Sequence, residues 1–75
     1  MSREQLDARR MLCPMPVIKT QNRVATMTAG EELEVICTDP GALNDIPAWA
    51  RINGHQVIES VQDKDEIRIT VRVGA

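Results

Sequence analysis

The chain has 75 residues, 43% of them hydrophobic and 27% charged, so it is long enough for one modest core and too apolar to be disordered. A formal net charge of −2 and a single aromatic residue argue against binding to single-stranded nucleic acid, which uses basic grooves and stacked rings. No apolar run has membrane-spanning length and the first residues show no secretory signal. We therefore expect a cytoplasmic protein, not associated with a membrane, whose residues 1–75 form a single domain.

Hydrophobic periodicity predicts six elements in the order β-α-β-α-β-β. They are expected over residues 5–8, 14–27, 32–38, 43–52, 55–61 and 66–73. In the second strand, Leu33, Val35 and Cys37 alternate with polar or outward neighbours, which predicts one buried side. Cys37 is thus expected in the core, although a resolving cysteine near the end of the first strand is the alternative.

The first helix is expected to have one buried side and one solvated side. Val17, Ile18 and Val24 follow the spacing of a buried helical face, and Lys19 and Arg23 lie on another face. The sequence therefore predicts that this helix packs on the sheet through its valines and isoleucine.

The second helix contains Pro47, which is poorly tolerated in a helix interior. We therefore expect Pro47 in the first turn, with Asn44 or Asp45 at the N-cap. The Asp39-Pro40-Gly41 segment is a turn signal, and the Asp39 side chain is expected to cap the segment after it. The residues expected to point inward are Ile46, Trp49, Ala50 and Ile52.

This order of elements predicts an α+β two-layer sandwich with a four-stranded mixed sheet. The first crossover makes strands one and two parallel, and the last two strands form an antiparallel hairpin. Both helices should cover one face of the sheet, and the polar alternate residues leave the other to solvent or a partner. Because parallel strands end at the same edge, Cys13 and the Asp39 turn are expected to lie near each other there.

Cys13 stands where an extended segment is predicted to meet a helix. Pro14 suits a first helical position, and Pro16 is tolerated in the first turn, where N–H groups have no intrahelical partner. Cys13 then lies near the positive end of the helix dipole, which favours a thiolate, and Arg9 and Arg10 are close enough in sequence to add positive potential. The prediction is a nucleophilic cysteine able to attack sulfur, carbon or a metal.

Other residues near this thiol are candidates for partner docking. Met15 would offer an adaptable apolar contact, and Asp45 a polar one. Lys19 and Arg23, together with the two arginines before the thiol, form either a docking surface for acidic partners or a solvated face. His55, the sole histidine, is expected on the opposite edge from Cys13 in a structural role.

Several motifs resemble those of the TusA/SirA-like sulfur-carrier family. They are Leu6-Asp7-Ala8-Arg9, Cys13-Pro14-Met15-Pro16, Thr38-Asp39-Pro40-Gly41, Asp45-Ile46-Pro47 and Gly54-His55. The resemblance implies a fold similar to the C-terminal domain of a bacterial translation initiation factor. It also implies that Cys13 carries sulfur as a persulfide, without a metal or an organic cofactor.

The family resemblance further implies protein partners. A cysteine desulfurase or rhodanese would donate the sulfur, and a protein of the TusBCD or DsrEFH type would accept it, in tRNA thiolation, cofactor sulfuration or sulfur oxidation. The family often has glycine where Arg10 stands and a polar or basic residue where Leu12 stands, which bears on the choice of partner. We expect a monomer that docks transiently and has no direct contact with nucleic acid.

Two other functions use the same thiol. One is a metal-binding or redox-regulatory small module. Metal binding normally needs two closely spaced thiolates, and Cys13 has no Cys-x-x-Cys partner. A regulatory or structural interaction domain would keep its function when Cys13 is replaced by serine.

Overall fold

The computed structural model describes residues 3–74. Its elements are β1 (Arg3–Ala8), α1 (Met15–Val24), β2 (Glu32–Cys37), α2 (Ala42–Ile52), β3 (Gln56–Asp63) and β4 (Glu66–Arg72). The strands form one sheet in the order β1-β2-β4-β3, in which β1 and β2 are parallel and the other pairs antiparallel. The predicted α+β fold, with a four-stranded mixed sheet and two helices, is therefore confirmed.

The core lies between the sheet and the two helices. Alternate strand residues point into it, as the period of two predicts, and Cys37 is fully buried among them. The buried hydrophobic residues of the described chain are Leu6, Ala8, Val24, Leu33, Val35, Cys37, Ala42, Ile46, Ala50, Ile67, Ile69, Val71 and Val73. Both helices contribute to this one cluster, so they cover the same face of the sheet.

α1 turns a different side toward the core from the one that its apolar spacing predicts. Its buried residues are Pro16, Thr20 and Val24, whereas Val17 is half-buried and Ile18 is exposed. Thr20 is accommodated because its hydroxyl donates a hydrogen bond to the Pro16 carbonyl at 2.7 Å. The prediction is therefore confirmed for Val24, which is buried, and for Val17, which packs against the core, and it was wrong for Ile18. The helix ends at Val24, three residues earlier than expected.

α2 begins earlier than predicted, and this changes the place of Pro47. Its N-cap is Gly41, so Pro47 lies inside the helix and not in its first turn. The N–H groups of Ala42 and Leu43 donate to the carbonyls of Asp39 and Pro40 at 3.0 and 3.1 Å. These bonds start the helix before Asp45. The predicted N-cap at Asn44 or Asp45 was therefore wrong.

The inward face of α2 is predicted only in part. Ile46 and Ala50 are buried as expected, and Trp49 is half-buried and packs against the core. Ile52 is 80% exposed, so its predicted inward position was wrong. The helix is followed by Gly54, whose φ of 80° lies in the left-handed region that often ends a helix.

The other face of the sheet carries charged side chains. Arg3 and Glu32 form an ion pair at 2.8 Å across β1 and β2, and Arg68 pairs with Glu66 at 2.8 Å on β4. Neither helix packs on this face, as the polar alternate positions predict. No helix within residues 3–74 is long and apolar enough to cross a membrane.

Candidate functional site

Two loops meet where the parallel strands β1 and β2 end. The backbone N–H of Arg10 donates to the Thr38 hydroxyl at 2.8 Å, and the N–H of Cys13 donates to Asp39 Oδ2 at 2.8 Å. The register that pairs Ala8 with Cys37 brings these loops to the same edge of the sheet. Cys13 and the Asp39 turn therefore lie together, as the topology predicts.

The loop after β1 turns sharply at Arg10. Its φ is 66°, in the left-handed region that favours glycine and is strained for other residues. The Asp7 carboxylate accepts the backbone N–H of Arg9 at 3.0 Å, which supports the chain just before the turn. This turn directs the following residues back toward the end of β2.

Cys13 is exposed and lies directly before α1. Pro14, joined to it by a cis peptide bond, is the N-cap of α1, and Pro16 is buried in the first turn. The N–H of Met15 donates to the Leu12 carbonyl at 2.8 Å, so the two residues flanking the Cys-Pro pair are bonded to each other. The thiol is thus presented at the start of the helix, as predicted.

The sulfur of Cys13 donates a hydrogen bond to a carboxylate of α2. The distance from Sγ to Asp45 Oδ2 is 2.8 Å, and Asp45 lies in the first turn of that helix. This hydrogen bond, the partial loss of water and the charges of Asp45 and Asp39 raise the pKa of the Cys13 thiol above its ordinary value. The expected lowering of this pKa is therefore wrong for the free protein, because the hydrogen bond to Asp45 and the nearby carboxylate charges favour the protonated thiol.

Asp39 serves the loop geometry and not the predicted side-chain cap of α2. Its Oδ1 accepts the N–H of Gly41 at 3.1 Å and its Oδ2 accepts the N–H of Cys13. These two bonds hold the pKa of the Asp39 carboxyl below its usual range, because they stabilise its charged form. The acidic side chain therefore fixes the backbone that carries the thiol.

Arg9 has other partners than the thiol. Its guanidinium pairs with Asp7 at 3.0 Å and with Glu66 at 3.7 Å, which holds it over the open face of the sheet. Arg10 lines a surface depression with Asp7, Arg9 and Thr38. Arg9 therefore does not stabilise a thiolate on Cys13 as predicted, because its guanidinium is paired with the carboxylates of Asp7 and Glu66 on the sheet.

Three exposed apolar side chains lie close to Cys13 along the chain. Leu12, Met15 and Ile18 are 75%, 44% and 42% exposed and are spaced three residues apart along the chain. We call these three residues the apolar rim. Met15 was predicted as a contact for a partner protein. Ile18 was expected in the core, and it is exposed because α1 turns another side toward the sheet.

Lys19 and Arg23 lie along α1 next to β1. Together with Leu6 they line a shallow groove, and Arg23 pairs with Glu4 at 2.9 Å. They are therefore placed beside the edge strand of the sheet, and part of the predicted basic surface is neutralised within the chain.

The second thiol and the histidine lie away from this surface. Burial raises the pKa of Cys37 to about 11, with a smaller contribution from the charge of Asp39. His55 follows the far end of α2, where its Nδ1 accepts the N–H of Gly74 at 2.9 Å and its ring lies 5.1 Å from that of Trp49. Within residues 3–74, no group of three or more potential ligands is arranged to hold a metal ion.

Sequence reasoning did not foresee two contacts of the site. These are the bond between Asp45 and the sulfur and the bond between Asp39 and the Cys13 amide. The sequence held one sign of these contacts. Both aspartates follow β2, which is parallel to β1, the strand that precedes Cys13.

Comparison with known proteins places the chain in a family. The family model described as sulfurtransferase TusA matches residues 4–73. A putative sulfur carrier protein, YrkI, of Bacillus subtilis is 36% identical over 69 residues, which cover 92% of each chain. The sulfur carrier protein TusA of Allochromatium vinosum is 30% identical over 69 residues, 92% of this chain and 91% of that protein.

A solved structure agrees with this assignment. The crystal structure of a SirA-like protein from Desulfitobacterium hafniense superposes with a TM-score of 0.82 at 25% identity, covering 99% of this chain and 100% of that one. The fold, the family model and the relatives coincide over nearly the whole chain. The protein belongs to the TusA family.

Proposed function

We propose that the protein is a sulfur carrier that accepts sulfane sulfur as a persulfide on Cys13 and passes it to an acceptor protein. The observation that supports this most directly is an exposed thiol at the start of α1, set in the apolar rim of Leu12, Met15 and Ile18. Relatives that match most of the chain are named sulfur carrier proteins. The other thiol, Cys37, is buried and unsuited to exchange with a partner.

The transfer is a thiol–disulfide type of exchange. Deprotonated Sγ of Cys13 attacks the outer sulfur of the donor's persulfide, and a new sulfur–sulfur bond forms as the donor's bond breaks. The inner sulfur of the donor's persulfide leaves with the electron pair and takes up a proton, which balances the proton lost from Cys13. In release, the acceptor's thiolate attacks the outer sulfur of the Cys13 persulfide, and Cys13 regains its thiol, so neither step needs an oxidant.

The surface suggests how partners dock. A donor of the cysteine desulfurase or rhodanese type and an acceptor of the TusBCD or DsrEFH type would each cover the apolar rim, so that the sulfur is shielded from water during exchange. Lys19 and Arg23 would contact acidic groups at the border of such an interface. Because an exposed rim of three side chains is small, we propose that the protein binds each partner transiently. We further propose that it is a cytoplasmic monomer with one domain over residues 1–75.

The proposal is tested by loading the protein with a sulfane-sulfur donor such as polysulfide and measuring its intact mass. Wild type and Cys37→Ala are expected to gain sulfur, and the gain should be removed by a reductant. Cys13→Ser is the matched change at the exposed thiol and should gain none. Uptake of sulfur by Cys13→Ser, or no uptake by wild type, would refute the proposal.

A further inference from the structure

The two aspartates beside Cys13 have different tasks. Asp39 receives backbone N–H groups on both oxygens, from Gly41 and from Cys13 itself. Asp45 receives the sulfur, with 2.8 Å between Oδ2 and Sγ. The contact with Asp45 therefore depends on whether the Cys13 sulfur is protonated. The bonds between Asp39 and the backbone do not involve the sulfur and do not depend on its charge.

The hydrogen bond to Asp45 exists only while the sulfur carries a proton. An ionised sulfur at the same place would set two negative charges 2.8 Å apart, with the charge of Asp39 also nearby. On the segment of Cys13 itself, Arg9 pairs with Asp7 and Glu66 and does not offset these charges. An anion on Cys13 is therefore expected to rotate away from α2, into the solvent to which this exposed residue is open.

Loading with sulfur changes this charge state, because a persulfide ionises more readily than its parent thiol. Resting on the carrier function proposed above, we propose that Asp45 is a positioning residue that distinguishes the unloaded from the loaded carrier. It holds the protonated thiol of unloaded Cys13 against α2, and it makes no such bond to the anionic persulfide, whose outer sulfur is then free to reach an acceptor. The unloaded thiol is thereby protected from unspecific reaction until a donor separates it from Asp45.

The test compares alkylation rates of unloaded and loaded protein with iodoacetamide at pH 7. Asp45→Asn keeps the size of the side chain and removes its charge. For each unit by which the Cys13 pKa falls, the thiolate fraction rises about tenfold and its nucleophilicity falls about threefold. The unloaded variant should therefore react faster than wild type, by about threefold for each such unit. The loaded persulfide is already ionised, so its rate should be the same in variant and wild type.

Controls separate this effect from a general change of charge or fold. Asp63→Asn removes an exposed carboxylate of β3 and should leave both rates unchanged. Asp45→Ser is a second way of removing the carboxylate, and it should also accelerate alkylation of the unloaded protein. The pH at which the thiolate absorbs in the ultraviolet should fall in both Asp45 variants.

The outcomes distinguish the inference from the proposed function. If both Asp45 variants react like wild type, with an unchanged titration, and still take up sulfur, the inference is overturned and the carrier function stands. If the persulfide of the variants reacts several-fold faster or slower than that of wild type, Asp45 does not distinguish the two states. If wild type takes up no sulfur, the carrier function fails and the inference with it.

Discussion

Raising the pH is expected to destabilise the protein through Cys37. This thiol is fully buried, and burial raises its pKa from 9.0 to about 11. In the unfolded chain Cys37 ionises near its ordinary pKa, so between these two values the unfolded state binds fewer protons than the folded state. The stabilisation is therefore complete below pH 9 and is lost as the pH rises through about 11.

The magnitude follows from the two pKa values. At pH 8 the thiol is protonated in both states, whereas at pH 10 it is ionised mainly in the unfolded chain. The free energy of unfolding should therefore fall by about 1.3 kcal/mol between pH 8 and pH 10 on account of Cys37 alone. Well above pH 11 the loss should approach about 2.7 kcal/mol.

The assay is urea unfolding followed by circular dichroism, in the presence of a reductant, at pH 8 and pH 10. Cys37→Ala is the reference protein, because it differs from wild type only in the buried thiol. Wild type should lose about 1.3 kcal/mol relative to Cys37→Ala between the two pH values. A difference between the two proteins that stays constant with pH would refute the assigned role of burial at this thiol.

Two further predictions concern α2, the helix that carries Asp45. Ile46→Ala removes a fully buried side chain and should lower the free energy of unfolding, measured in urea, by about 2–5 kcal/mol. Ile52→Ala changes an 80% exposed position and should alter this free energy by less than about 0.5 kcal/mol. Similar losses in the two variants would contradict the packing. Pro47 lies inside the helix and has no N–H to donate to the Leu43 carbonyl, so Pro47→Ala should raise the free energy of unfolding by about 2 kcal/mol and the melting temperature by about 10 °C. A melting temperature that is unchanged or lower would show that the helix accommodates the proline without cost.

Local sequence patterns determined the order of the elements and the buried side of the strands. Leu33, Val35 and Cys37 alternate with outward neighbours, and the period of two is a property of a single strand that needs no knowledge of its partners. The prolines around Cys13 likewise marked the start of α1, because proline restricts its own backbone wherever it stands. The fold class and the exposed position of the Cys13 thiol could therefore be predicted.

Packing of the elements decided the rotation and the start of the helices. α1 buries Pro16 and Thr20 in place of Val17 and Ile18, because the contact with the sheet sets which side of a short helix faces inward. The resulting exposure of Ile18 completes the apolar rim. In α2, main-chain bonds to the Asp39 turn started the helix early enough to place Pro47 in its interior.

Tertiary structure alone decided the electrostatics of Cys13. Helix position and the neighbouring arginines predicted a lowered pKa, since both are visible along the chain. Asp45, which lies 32 residues away in sequence, approaches the sulfur only because β1 and β2 are parallel and α2 begins directly after the Asp39 turn. A contact of 2.8 Å depends on strand register and helix start together, and no local pattern encodes that distance.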